Sequence, residues 1–313
     1  MWTRRLSTKV SHHTYKQLGL DHVKGLPRHD VVPLSWQQFK PKKSLMPSSS
    51  SSLTSKSPVI MLHGFLGSKQ NYSSVGRKIS ELTGHPVFGV DLRNHGQSPH
   101  ASPHTYPVLA HDVSQLVEDQ QWHDAIIVGH SMGAKVAMIC ALQHPKLYSK
   151  LVIIDNSPVQ AALVALTRDL EAMGHVEAQY RQFSDKPTAK QLDKIEDILK
   201  EYEPDAGVRL FLKSNFDKHD PSRAFRVPVL NFLKDDVLND MGGWPDNIPK
   251  HCRFPKPTLV MKGAHSNFIK TEYKPAFDHY FPNNQLKVYD SGHWVVQQRP
   301  EEVVRDIVDF INH

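Results

Sequence analysis

Ser131 stands between two glycines in Gly129-His130-Ser131-Met132-Gly133, directly after the apolar run Ala125-Ile126-Ile127-Val128. The G-x-S-x-G spacing is that of a nucleophile elbow, a sharp strand-to-helix turn that only small neighbours permit and that lifts the serine hydroxyl clear of a sheet. Five residues alone would equally describe a glycine-rich turn with an incidental serine. The strand before them, and the small apolar residues Ala134, Val136, Ala137, Ile139, Cys140, Ala141 and Leu142 after them, supply the context the motif requires. A serine hydroxyl is a weak nucleophile until a base takes its proton, and the usual base is an imidazole oriented by a carboxylate. Among 20 histidines, His293 is the candidate base: it lies in Asp290-Ser291-Gly292-His293-Trp294, directly after the last strand, Leu286–Tyr289, and before a C-terminal helix.

The carboxylate is harder to find. The strand Leu259–Met261 runs into Lys262-Gly263-Ala264-His265-Ser266-Asn267-Phe268, where the acid of such a sheet commonly follows and none appears. Asp155, in Asp155-Asn156-Ser157-Pro158, keeps the chain order Ser, acid, His and is the candidate; a turn or N-cap role for it stays open. Asp290 is too near His293 in sequence to be an easy partner. An acyl transfer also needs two backbone donors for the oxyanion, each worth about 2.7–4 kcal/mol at the transition state. The amides of Met132 and of Phe65, in His63-Gly64-Phe65, are the candidates. His130, Trp294 and Ser266 are expected to line the substrate pocket, with His265 on the same rim. Asp91 and Arg93, in Asp91-Leu92-Arg93-Asn94-His95-Gly96-Gln97-Ser98, are expected to brace a loop rather than react.

These residues need a scaffold that delivers them to one edge. Short continuous apolar runs at 59–62, 86–90, 125–128, 151–154 and 257–261 suit strands buried on both faces. Val31–Trp36 reads as a first strand and Ser48–Ser52 as an exposed loop. Val75, Ile79 and Leu82, then Leu109, Val113, Leu116 and Val117, fall at helical spacing between the strands. The alternation predicts an α/β fold, a mostly parallel sheet flanked by helices, with chemistry at the strands' carboxyl ends. Residues 159–254 change to charged, helix-prone sequence and are expected to form a helical cap over that edge. The core is thus read as 29–158 and 255–313. It closes with a helix that has Pro300 near its start, Glu301 and Glu302 in its first turn, and Val303, Val304, Ile307, Val308 and Phe310 on its apolar face.

The net charge of +6 is not spread over this core. Residues 1–50 carry nine Lys and Arg against two Asp, which leaves the other 263 residues at −1, so a nucleic-acid-binding groove on the body is not expected. Residues 1–28 form a basic extension. Its first 20 residues, with Arg4, Arg5, Lys9 and Lys16 and no acid, have the composition of a mitochondrial transit peptide; a basic tail without a targeting role is the alternative. No apolar run of about 18 residues suggests a transmembrane segment. Two cysteines, Cys140 and Cys252, imply neither a disulfide framework nor a zinc cluster, and no metal or bound cofactor is expected.

The motifs H-G-F-x-G-S, D-x-R-N-H-G-x-S-P, G-H-S-M-G-A, D-N-S-P and D-S-G-H-W, in this order, resemble the α/β-hydrolase superfamily over residues 30–312. Within it they resemble the mitochondrial abhydrolase group that includes the yeast ethanol acetyltransferases. The resemblance implies Ser131 as nucleophile, Asp155 as carboxylate and His293 as base. It also implies acyl transfer from acetyl-CoA or another acyl donor to an alcohol, with ester and thioester hydrolysis when water attacks instead. A plain esterase or thioesterase is one alternative. A non-catalytic scaffold is another, opposed by the intact Ser, His and oxyanion loop, and Ser131 at the elbow opposes a haloalkane or epoxide hydrolase.

Overall fold

The apolar runs become strands of one sheet. They are β1 (Trp36–Gln38), β2 (Val59–Leu62), β3 (Val87–Val90), β4 (Ala125–His130), β5 (Tyr148–Ile154), β6 (Thr258–Gly263) and β7 (Asn284–Tyr289). Their order is β1-β3-β2-β4-β5-β6-β7, parallel throughout except that β1 runs antiparallel to β3. Every residue of β2, β3 and β4 is buried, as central parallel strands covered on both faces require. In this computed structural model the described residues are 23–41, 56–161, 163–246, 248–249 and 251–313; the basic segment 1–20 and the serine run 48–52 lie outside them.

The first strand differs from expectation. It begins at Trp36, not Val31, because Pro33 has no N–H to give a ladder and the Val32 N–H donates instead to the Asp112 carboxylate at 2.9 Å.

In chain order the helices are α1 (Ser73–Thr83), α2 (Tyr106–Asp119), α3 (Met132–Gln143), α4 (Val164–Tyr180), α5 (Thr188–Lys200), α6 (Ala206–Lys213), α7 (Val229–Lys234) and α8 (Val237–Gly242). They continue with α9 (Lys274–Tyr280), α10 (Val295–Gln298) and α11 (Pro300–Asn312). One core joins Val75 and Ile79 of α1 and the apolar stripe of α11 to alternate residues of β2, β4, β5 and β6. Leu82 leaves that face and is 51% exposed; the α1 stripe continues through Thr83, whose hydroxyl donates to the Ile79 carbonyl at 2.7 Å. Helix α3 is buried along nearly its whole length and apolar on every face except at the buried Lys135, which suits a helix packed against the sheet.

Two compact units emerge. One contains Val31–Arg93, Tyr106–Val159 and Trp244–His313, and holds the entire sheet. The other contains Gln160–Gly243, with helices α4–α8, together with Asn94–Thr105 and the described residues before Val31. Asn94–Thr105, assigned from sequence to the core, joins the helices because His95 and His104 lie 5.8 and 5.0 Å from the Phe232 ring. Trp244–Phe254, assigned from sequence to the insertion, groups with the sheet. The Phe254 N–H donates to the Tyr280 carbonyl at 2.8 Å, and the Trp244 and Tyr280 rings lie 5.5 Å apart. Among the described residues no helix is long and apolar enough to cross a membrane.

Candidate active site

The elbow between β4 and α3 holds Ser131 at φ 52°, ψ −119°, a strained conformation of the kind that costs on the order of 1–3 kcal/mol and persists only where surroundings enforce it. Those surroundings are visible. The Ser131 N–H donates to the Ile154 carbonyl at 2.9 Å, and its own carbonyl accepts from Ala134 N at 3.0 Å and from Asn156 Nδ2 at 2.9 Å. The flanking glycines supply room. A Cβ on Gly129 would sit 2.1 Å from the Gly133 carbonyl oxygen, and one on Gly133 would sit 2.4 Å from that of Leu62.

Asp155 directly follows β5, also at positive φ (49°), and is fully buried. Its N–H donates to the Met261 carbonyl at 2.8 Å, and its Oδ1 accepts from the Gly263 amide at 3.1 Å. Oδ2 accepts from His293 Nδ1 at 2.7 Å and from the Ser266 hydroxyl. With Nδ1–H committed to the carboxylate, His293 Nε2 presents its lone pair, and Ser131 Oγ–H donates to it at 2.9 Å. The side chain of Asp155 therefore faces the imidazole rather than capping a turn. β6 contributes no acid; its end supplies the Gly263 amide and the Ser266 hydroxyl instead. The His293 loop is seated by backbone against backbone, since a Cβ on Gly263 would lie 2.1 Å from the Gly292 carbonyl oxygen. Asp290 turns away to His265 at 2.8 Å and Arg299 at 3.0 Å.

Two residues expected to line a pocket are committed elsewhere. His130 donates from Nε2 to the His293 carbonyl at 2.8 Å, and its ring lies 4.8 Å from the His293 ring. Burial, with the nearby His293 adding to it, pushes its imidazole down to about 3, so it is a neutral brace. Ser266 is buried, and its hydroxyl is spent on Asp155 rather than offered at a rim. Trp294 is half-buried with its ring 6.2 Å from that of His293. Phe268, unforeseen from sequence, stacks on the His293 imidazole at 3.9 Å and 18°. The only hint of it was an aromatic residue in the acid-free segment after β6.

The loop after β2 approaches the elbow closely. A Cβ on Gly64 would stand 3.2 Å from the Ser131 Cβ and 3.3 Å from His130 Nδ1. His63 holds this loop, donating from Nδ1 to the Gly64 carbonyl at 2.8 Å and accepting the Leu92 N–H at 3.0 Å; burial lowers its imidazole, which keeps it neutral. Phe65 is buried there, and Met132 opens α3, where helix amides lack intrahelical partners. Asp91 pairs with Lys69 and accepts that residue's N–H at 2.7 Å; Arg93 forks onto Asp112 at 2.6 and 2.8 Å. Both acid-base pairs brace loops, as their sequence context suggests. The arrangement as a whole can move a proton from a serine to an imidazole whose far side is held by a carboxylate.

The chain belongs to the alpha/beta hydrolase fold family, whose model matches residues 57–300. Within it the chain is similar to Ethanol acetyltransferase 1 of Wickerhamomyces anomalus, 33% identical over 92% of this chain and 76% of that protein. A Probable alcohol acetyltransferase of the same yeast is 31% identical over 92% of this chain and 87% of its own. Among solved structures, a marine microorganism esterase superposes with a TM-score of 0.73 at 27% identity, covering 89% of this chain and 99% of that one.

Proposed function

We propose that this enzyme carries an acyl group on Ser131, taking it from a thioester such as acetyl-CoA and passing it to an alcohol such as ethanol. The observation that carries the reading is the hydroxyl of Ser131 at 2.9 Å from His293 Nε2, with His293 Nδ1 held by Asp155 at 2.7 Å. His293 takes the serine proton as Oγ attacks the thioester carbonyl; the amides of Phe65 and Met132 receive the oxyanion; the thiolate leaves and takes the proton from the imidazolium. An alcohol then gives its proton to His293 and attacks the acyl-serine, and on collapse the imidazolium passes that proton to Ser131 Oγ as the ester is released. The names of the yeast relatives, matched over most of the chain, support an alcohol as acceptor.

Hydrolysis of esters and thioesters is the second reading, favoured by the likeness to the marine esterase. The two differ only in whether alcohol or water attacks the acyl-enzyme. Purified protein incubated with acetyl-CoA, with and without ethanol, separates them. Ethyl acetate that appears only with ethanol and vanishes in Ser131→Ala selects the transferase; free acetate alone selects the hydrolase. A wild-type serine that fails to react with a fluorophosphonate probe removes both. The basic, acid-free composition of residues 1–20, with Arg4, Arg5, Lys9 and Lys16, supports import into mitochondria. Unchanged localisation after deleting them would overturn that part.

A further inference from the structure

The segment after β6 touches both the carboxylate and the base, and its contacts close into a circuit. Ser266 Oγ–H donates to Asp155 Oδ2, the same oxygen that receives His293 Nδ1–H. Ser266 Oγ in turn accepts the Phe268 N–H at 3.3 Å. The Phe268 ring then lies flat on the His293 imidazole at 3.9 Å, and the Phe268 carbonyl is anchored by the Ser157 hydroxyl at 2.6 Å, two residues beyond Asp155. The circuit therefore runs Asp155, Ser266, Phe268, His293 and back to Asp155. Among the described residues, the other ionisable ring against the His293 imidazole is that of His130, which burial keeps neutral.

We propose that Ser266 and Phe268 are paired positioning residues that set the proton affinity of the Asp155–His293 couple from opposite directions. The inference rests on the acyl-serine reading above. A hydroxyl donating to the carboxylate draws off part of the negative charge that faces Nδ1, and so disfavours the imidazolium. An aromatic face against the imidazole favours the imidazolium by cation–π attraction and holds water off that side. Together they hold the imidazole against the carboxylate while balancing its basicity.

The test is the pH profile of kcat/KM with an activated acetyl ester for wild type, Ser266→Ala, Phe268→Leu and the conservative variants Ser266→Thr and Phe268→Tyr. Ser266→Ala should lower the plateau about tenfold, the loss of one charge-assisted bond, and move the acid limb up in pH. Phe268→Leu, which keeps apolar volume but no π-face, should move the acid limb down by about half a unit. Ser266→Thr and Phe268→Tyr should restore the wild-type limb. Thermal melts identify any variant that fails to fold, and then Ser266→Cys, a far weaker donor, or Phe268→Met, which has no π-face, carries the comparison with the same expected direction of shift. Acid limbs that stay put in both truncated variants, or that move in the same direction, overturn the proposal. If wild type itself neither turns over nor labels with a fluorophosphonate, the acyl-serine reading falls instead, so the two failures are distinct.

Discussion

Asp155 illustrates how much one side chain is asked to do at this site. Its carboxylate is fully buried and receives three donors, the Gly263 amide, the Ser266 hydroxyl and His293 Nδ1–H. Only the last of these sets the tautomer that leaves Nε2 free to accept from Ser131. Asp155→Asn would present an amide whose N–H₂ cannot accept from Nδ1–H, so the imidazole is expected to flip its proton to Nε2 and face the serine as a donor. The expected outcome is a loss of about 10⁴ in kcat with the fold intact, measured by ester turnover alongside circular dichroism. Turnover within a few-fold of wild type would remove Asp155 from the couple. His130 belongs to the same scale. Its hydrogen bond to the His293 carbonyl fixes the backbone of the base, a contact that nothing about its place in the G-x-S-x-G pattern announces.

At the scale of elements, the elbow works because β2, β4 and α3 touch backbone to backbone. A methyl group at residue 133 would lie 2.4 Å from the Leu62 carbonyl oxygen and 2.6 Å from that of His63, and no side-chain rotation relieves contacts with main chain. Gly133→Ala should therefore destabilise the protein by about 1–3 kcal/mol, read from a denaturant midpoint, and lower turnover further by displacing the loop that carries Phe65. Gly25→Ala, with nothing within 4 Å of its added Cβ, should stay within about 0.5 kcal/mol of wild type. This contrast also marks what could be read from the chain. Glycine spacing, buried runs and the place of His293 are local signals, and Asp155 emerged because the segment after β6 held no acid. Ser266 and Phe268 were not legible as partners of residues 111 and 25 positions away, since their contacts depend on how the Gly263 and Gly292 backbones meet. The late start of β1 shows the opposite failure, where an apolar pattern was overruled by one proline and one carboxylate.

Across the whole molecule, buried carboxyls and buried imidazoles give opposite responses to pH. In the helical unit Asp169 is 7% exposed, and burial first, then the neighbouring Glu203 carboxylate, raises its pKa. Glu177, in the same unit, is raised to about 7 by burial against the pull of the Ala224 and Phe225 amides, while half-buried His100 acts in the other direction. A raised carboxyl holds its proton in the folded state after the unfolded chain has released it. Its contribution is complete below the ordinary carboxylate range and is lost as pH rises through the folded value, by at most about 1.4 kcal/mol per pH unit. In the sheet unit the buried imidazoles of His63 and His130 are lowered, so their contribution is present above the ordinary histidine value and is lost as pH falls toward the folded one. Asp169→Asn should therefore gain stability relative to wild type as pH rises from 5 to 8, whereas His130→Gln should gain as pH falls from 7 to 5. Differences between variant and wild-type melting temperatures across that range isolate each group from the rest. A flat difference for Asp169→Asn would mean that its carboxyl is ionised throughout and that the pair with Glu203 does not share a proton.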